Sequence, residues 1–214
     1  MNLPVAVYNV DATKRHRTLN TQDALIAHLA GSPLATPVAA YTEVSSKFFA
    51  VRLAAARDAH YVDHAFGRAD RTAQVFPAAY DTDRATSVSD RGKYLYTPLS
   101  VGGQDVLLYT VHLSRRDAAA RKRQLNLLVR SVEKHRGDAH EVVVCGDFNT
   151  PCAALVEHFA GTGLAAAIGA DDAPTAASGV IDNLLTSAPI RGVARWDASR
   201  FTHVPFAATL AIEK

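Results

Sequence analysis

Hydrophobic positions in this chain fall into short β-type runs and longer helical stripes that alternate from end to end. Residues 4–10, Pro4-Val5-Ala6-Val7-Tyr8-Asn9-Val10, make a first β-rich run. Asn20 then reads as a helix N-cap, with Asp23 in the first turn, Leu25, Ile26 and Leu29 as an apolar stripe, and Gly31 as the stop. Residues 37–43 read as a second strand, and residues 45–59 as a second helix with Phe49, Leu53 and Ala56 on one face. Residues 61–66 read as a strand, whereas 68–89 are polar and irregular and predict no regular element. The β-rich runs 93–101 and 105–113 meet around Gly102-Gly103, which predicts a hairpin. Ser114-Arg115-Arg116-Asp117 has the form of a capping box before a long helix. That helix turns Leu125, Leu128 and Val132 inward and stops at Gly137. Residues 141–145 are an apolar run of the buried-strand type. A short helix near 153–159, a strand near 180–185 and a last strand near 205–212 complete the pattern. Nothing repeats and no linker stands out, so the alternation predicts one α/β domain over residues 1–214.

Composition narrows the picture mainly by exclusion. Apolar residues make up 48% and charged residues 21% of the chain, ordinary values for a soluble globule. The net charge of +2 announces no global field for a nucleic-acid partner, although a local basic patch can still supply one. No run approaches the roughly 18 apolar residues that a membrane helix needs, so no membrane insertion is expected. Residues 1–7 lack a basic segment and a cleavage site and read directly as a strand, so no signal peptide is expected. Two cysteines, Cys145 and Cys152, are too few for a disulfide scaffold. They are expected to be reduced thiols in a cytoplasmic protein.

Residues with metal or phosphate chemistry recur where the strands end. Asn9 and Asp11 follow the first strand, Glu43 ends the second, His112 ends the hairpin, and Asp147 and Asn149 follow the Val142-Val143-Val144 strand. Asp182 sits inside Val180-Ile181-Asp182-Asn183-Leu184-Leu185, and His203 precedes the last strand. Strand ends are where α/β folds assemble their sites. An oxygen-rich ligand set suits a hard cation such as Mg²⁺, which polarises phosphoryl oxygens and stabilises leaving groups. No P-loop, Gly-x-Ser-x-Gly elbow or Cys-x-x-Cys pair is present, which argues against the main competing enzyme classes.

Val144-Cys145-Gly146-Asp147-Phe148-Asn149 resembles the Gly-Asp-Phe-Asn signature of the endonuclease/exonuclease/phosphatase (DNase I-like) superfamily. Further matches come in that family's order. Tyr8-Asn9-Val10-Asp11 resembles its first-strand motif, and Tyr41-Thr42-Glu43-Val44 its Gln-Glu-Val motif with threonine for glutamine. Thr110-Val111-His112-Leu113 resembles its Thr-His-Leu strand, Arg121 and Gln124 its Arg-x-x-Gln, and Thr175 with Ile181-Asp182 its late Thr…Ile-Asp pair. The resemblance spans residues 5–212. It implies a four-layer, two-sheet α/β sandwich with helices on the outer faces. It also implies a Mg²⁺- or Mn²⁺-dependent phosphoric ester hydrolase using in-line water attack. Carried over motif by motif, Glu43 would be the central metal ligand, helped by Asn9 and Asp11. Asp147 would orient or deprotonate the water, and Asn149 would hold it or a phosphoryl oxygen. His203, held by Asp182, would stabilise charge on the phosphoryl group, and His112 would contact another of its oxygens. One departure stands out: the family closes with Ser-Asp-His, whereas this chain has Phe201-Thr202-His203.

Most of these residues also have a plainer reading; Asp182 is the exception, because a buried carboxylate within an apolar run needs a partner. Asp147 with Asn149, and Asn9 with Asp11, fit ordinary turns; Glu43 fits a solvated strand end; His112 fits a satisfied core histidine. Arg121, on the inward stripe, fits a structural salt bridge under the site as well as substrate contact. His60 and His64 have the i, i+4 spacing of a helical metal pair, but they lie where a helix gives way to a strand. Arg115, Arg116, Arg121, Lys122, Arg123 and Arg130 on the long helix, and Lys14, Arg15, His16 and Arg17 after the first strand, suit a nucleic-acid backbone or ordinary solvated faces. Asn9-Val10-Asp11 resembles the version in apurinic endonucleases and tyrosyl-DNA phosphodiesterases, which favours a nuclease or DNA/RNA phosphodiesterase. A small phosphorylated metabolite or lipid is the alternative substrate, and a non-catalytic binding module, favoured by Thr202, the alternative class.

Overall fold

In the computed structural model the described residues are 1–10, 19–32, 34, 36–44, 47–67, 70–82, 84–196 and 202–213. They run β1 (Asn2–Asn9), α1 (Leu19–Ala30), β2 (Val38–Thr42), α2 (Lys47–Ala56), β3 (His60–Gly67) and β4 (Asp70–Phe76). Next come β5 (Ser87–Ser89), β6 (Tyr94–Val101), β7 (Gln104–His112), α3 (Ala118–His135), β8 (Glu141–Asp147) and α4 (Cys152–Phe159). The last elements are β9 (Ala165–Ala166), β10 (Asp182–Thr186), β11 (Ile190–Arg195) and β12 (Phe206–Ala211). Two six-stranded sheets result, ordered β11-β12-β1-β2-β4-β3 and β5-β6-β7-β8-β10-β9. Within them β1 runs parallel to β2 and β7 parallel to β8, while the other pairings are antiparallel.

The period-2 alternation of the central strands builds a four-layer sandwich. Val5 and Val7 of β1, with Val38 and Ala40 of β2, meet Leu108 of β7 and Val143 and Cys145 of β8 in the core between the sheets. Their chain neighbours Ala6, Tyr8, Ala39 and Tyr41 point the other way, onto Leu25 and Leu29 of α1 and Phe49 and Leu53 of α2. On the far side, Tyr109, Val142 and Val144 pack on Leu125, Leu128 and Val132 of α3 and on Leu155 and Phe159 around α4. The expected two-sheet sandwich with outer helices is therefore the observed architecture.

Two local expectations are corrected. Helix α3 starts at Ala118, and its N-cap is Asp117, whose carboxylate accepts from the Ala120 N–H at 2.8 Å; Ser114 lies in the preceding loop. Residues 68–89, expected to be irregular, contain β4 and β5. Strand β4 hides because its polar residues point inward: Thr72 and Gln74 are buried, and Gln74 Nε2 donates to the Leu108 carbonyl and Thr110 Oγ1 across the sandwich. His60 and His64 lie on strand β3, and each pairs with an aspartate, Asp81 and Asp90 respectively. Both cysteines are buried free thiols, and burial pushes Cys145 up to about 12. Among the described residues no helix is long and apolar enough to cross a membrane.

Candidate active site

Strand direction gathers the polar residues at one end of the sandwich. Strands β1, β2, β7 and β8 deliver their C-terminal ends there: Asn9 closes β1, Glu43 follows β2, His112 closes β7 and Asp147 closes β8. Antiparallel neighbours deliver their N-terminal ends to the same place. Asp70 opens β4 beside β2, Asp182 opens β10 directly opposite Asp147, and His203 precedes β12. Glu43 and Asn149 both turn with positive φ, 54° and 49°. Asparagine tolerates that region, whereas glutamate at Glu43 carries backbone strain at a site residue. Gly146 has φ 131°, and a Cβ there would lie 2.2 Å from the Val111 carbonyl oxygen, so only glycine lets β8 approach β7 this closely.

Asn9 ties the two central carboxylates together. Its Nδ2 donates to Asp147 Oδ2 at 3.0 Å and reaches Glu43 Oε1 at 3.4 Å. His112 Nε2 lies 3.7 Å from Glu43 Oε1 and 3.8 Å from Asp147 Oδ2. Two groups with ligand atoms within 4.8 Å of one another share Asp147: Glu43, His112 and Asp147, and Asp147, Asp182 and His203. Buried Asp182 Oδ1 has no hydrogen-bond partner among the described residues. A cluster of carboxylate oxygens with an unsatisfied acceptor fits a hard divalent cation. Asp147 is anchored by the Asn149 N–H, which donates to Oδ1 at 2.8 Å, while Asn149 Nδ2 donates to the Leu113 carbonyl at 3.0 Å.

Each histidine is oriented by a carboxylate. His203 Nδ1 lies 2.7 Å from Asp182 Oδ2, and His112 Nδ1 lies 2.6 Å from Asp70 Oδ1. A carboxylate only accepts, so both Nδ1 atoms are protonated and both Nε2 atoms are presented elsewhere. Burial lowers His203, but the hydrogen bond and charge of Asp182, then the charges of Asp147 and Glu43, outweigh it and leave the imidazole raised. Burial likewise lowers His112, and Asp70, Asp147 and Glu43 reverse it to a raised value. Asp147 moves up to about 6, first through burial and then through the charge of Asp182, against the pull of His112 and His203. Asp70 is raised by burial, but His112 and then Lys93 overcome that and hold it below its ordinary value.

Beside this cluster lies a cleft of about 210 Å³ lined by Glu43, Arg115, Asp147, Asn149, Ser178, Ile181, Thr202 and His203. No protein-family model matches the chain, and no curated protein matches it in sequence. Solved structures match over nearly its whole length. The human Nocturnin catalytic domain with bound sulfate anion has a TM-score of 0.79 at 16% identity, covering 98% of this chain and 94% of its own. D. rerio TDP2 complexed with single-strand DNA product has a TM-score of 0.76 at 15% identity, covering 99% of each chain. An endonuclease/exonuclease/phosphatase family protein from Bacteroides thetaiotaomicron has a TM-score of 0.76 at 13% identity, covering 100% of this chain and 99% of its own. The chain has the DNase I-like fold.

The DNase I-like sandwich thus brings Asn9, Glu43, His112, Asp147, Asn149, Asp182 and His203 to one end, with Thr202 exposed on the cleft beside His203. Thr175 explains the late Thr…Ile-Asp spacing. Its buried Oγ1 accepts from the N–H groups of Ile181 and Asp182, both at 3.0 Å, and so fixes the entry to β10. Arg121 makes no salt bridge among the described residues. Its Nη1 instead donates to the carbonyls of Ser114 and Arg115, at 2.8 and 3.1 Å. Gln124 Oε1 accepts from the Ser114 N–H at 2.8 Å. The Arg-x-x-Gln pair therefore shapes the loop that carries Arg115 to the cleft. Asp11, Lys14 and Arg15, expected as metal and substrate residues, lie outside the described residues, as does Arg17. Sequence reasoning missed Asp70, which orients His112, and Lys93, whose ammonium pairs with Asp70. Neither carries a motif, and only the placement of β4 beside β2 brings Asp70 to the site.

Proposed function

We propose that this protein is a metal-dependent phosphoric ester hydrolase acting on the phosphodiester bonds of nucleic acid. The observation that carries the reading is the convergence of two carboxylate-held histidines on Glu43 and Asp147, with Glu43, Asp147 and His203 lining one cleft. Glu43, with Asn9 and Asp11, would hold Mg²⁺ or Mn²⁺, and the cation would neutralise charge on the phosphoryl oxygens. Water attacks phosphorus in line with the leaving oxygen, and its proton passes to Asp147 as the opposite P–O bond breaks. A carboxylate near 6 is ionised at neutral pH yet more basic than an ordinary aspartate, as a general base requires. Asn149 positions the water or a phosphoryl oxygen. His203 and His112, raised above the ordinary imidazole value by Asp182 and Asp70 against the effect of burial, would face the charge that grows on the phosphoryl group. Nucleic acid is favoured by the likeness to TDP2 seen with single-strand DNA product, and by Arg115 on the cleft.

A second reading, hydrolysis of a small phosphorylated metabolite, draws on the size of the cleft. At about 210 Å³ it lies below the ~300–1,000 Å³ of typical ligand pockets and suits a phosphoryl group with little else enclosed. One experiment separates the two. Labelled single-stranded DNA, duplex DNA and structured RNA, and a panel of small phosphomonoesters, are incubated with the protein in Mg²⁺, in Mn²⁺ and in EDTA. Metal-dependent cleavage of an oligonucleotide supports the first reading, and cleavage confined to monoesters supports the second. No hydrolysis of any substrate overturns both and leaves a binding module of the same fold.

A further inference from the structure

A second cavity, of about 550 Å³, opens between helix α3 and the turn that joins β5 to β6. Arg91 lines it from the turn, and Arg123, Asn126, Leu127 and Arg130 from the helix. Its chemistry is one-sided. No carboxylate lines it, and none of the three arginines makes an ion pair or a side-chain hydrogen bond among the described residues. Three uncompensated guanidiniums around one hollow repel one another, and an anion in that hollow relieves the repulsion. Arg123 and Arg130 are seven residues apart on one helix, two turns or about 10 Å along its axis. That spacing suits anions strung along a chain. Leu127, half-buried on the same face, gives the groove an apolar floor.

The groove is also tied to the cleft. Gln124 borders it and holds the Ser114 N–H, and the next residue, Arg115, lines the cleft. On the other wall, Lys93 lies two residues beyond Arg91 and pairs with Asp70, the partner of His112. We propose that this groove is an exosite that grips the phosphodiester backbone of a nucleic-acid strand whose reacting phosphate lies in the cleft. The second half of that statement rests on the nuclease reading; the first stands on the groove alone.

The test is binding in EDTA, which stops metal-dependent turnover. Anisotropy of a fluorescein-labelled single strand, and of a duplex of equal length, is followed across a KCl series for the full chain. The double variant Arg123→Ala/Arg130→Ala removes two phosphate contacts. Its slope of log affinity against log salt on the single strand becomes shallower by about 1.4, and its affinity at ~0.1 M salt falls roughly 25-fold. On the duplex the slope changes by about 1.8. The arm that shows the loss identifies the form of the strand. Arg123→Lys/Arg130→Lys keeps the charge and retains most of the slope, and all variants melt with the wild-type protein because the side chains are exposed. Wild-type slope and affinity in the alanine variant on both arms, or no binding by the wild-type protein, overturns the exosite whatever the hydrolysis assay shows. A lost slope together with no hydrolysis of any substrate overturns the nuclease reading and leaves the groove standing.

Discussion

At the scale of single residues, Asp147 is the most constrained group in the site. It is buried, faces Asp182 across the β8–β10 register, and meets Asn9, Asn149 and His112. Asp147→Ala is expected to lower turnover by about 10²–10⁴-fold, the range for losing a general base. The fold should survive, because the carboxylate sits at a strand end facing the cleft; wild-type turnover in a folded variant removes Asp147 from the mechanism. Thr202 is the second informative position. It lines the cleft with Glu43, Asp147 and His203, where the family pattern has an aspartate. Hard divalent cations are held by the charge and number of their ligands. Thr202→Asp is therefore expected to tighten Mg²⁺ binding and raise activity at low Mg²⁺, read by calorimetry and by a metal titration of turnover. Unchanged affinity places Thr202 outside the metal's reach.

At the scale of elements, the site depends on how closely β7 and β8 approach. Val111 pairs with Gly146 and His112 with Asp147, so the two strands set the distance between two site residues. Gly146→Ala would drive a Cβ into the Val111 carbonyl at a φ of 131°. It should cost about 3 kcal/mol, lowering the melting temperature by roughly 6–12 °C, and should depress turnover as well. A variant that melts with the wild-type protein means the strands separate without cost. The same elements show how far the sequence speaks. Strands written as short continuous apolar runs, such as β1 and β8, and the stripe of α3 were legible because burial wrote them. Strand β4 was not, because Thr72 and Gln74 are buried polar residues that bond across the sandwich, and a polar pattern reads as solvent. Strand β11 sits largely exposed at a sheet edge and has no buried face to write a pattern. Glu43, Asp147 and His203 were found through motifs, whereas Asp70 was found only by pairing β4 with β2.

At the scale of the molecule, the site is a seam between the two sheets. Asn9 and Asp70 come from one sheet, His203 from the segment that leads into its strand β12, and Asp147, His112 and Asp182 from the other sheet, and each pair bonds across the gap. Protons at the seam, and any divalent cation held there, are thus linked to stability. His112 and His203 are raised in the folded state, so their contribution is fully present below their ordinary value of 6.5 and is lost as pH rises through the folded values. Asp147, raised from 3.8 to about 6, acts in the same direction, since its ionisation costs stability as pH climbs through that interval. Asp70 is lowered and acts oppositely, but its contribution changes only as pH falls through and below its ordinary value of 3.8. In EDTA the melting temperature is therefore expected to fall as pH rises from about 5 to about 8. Mg²⁺ should reverse the trend, because it replaces the missing positive charge and competes with protons for Asp147. At ~100 times its dissociation constant it adds about 2.7 kcal/mol, or roughly 5–10 °C. That shift should be larger near pH 8 than near pH 5, and Glu43→Gln should remove most of it. Melting curves at several pH values, with EDTA and with Mg²⁺, read all of this at once. A Mg²⁺ shift that is absent near pH 8, or largest near pH 5, places the cation somewhere other than the seam.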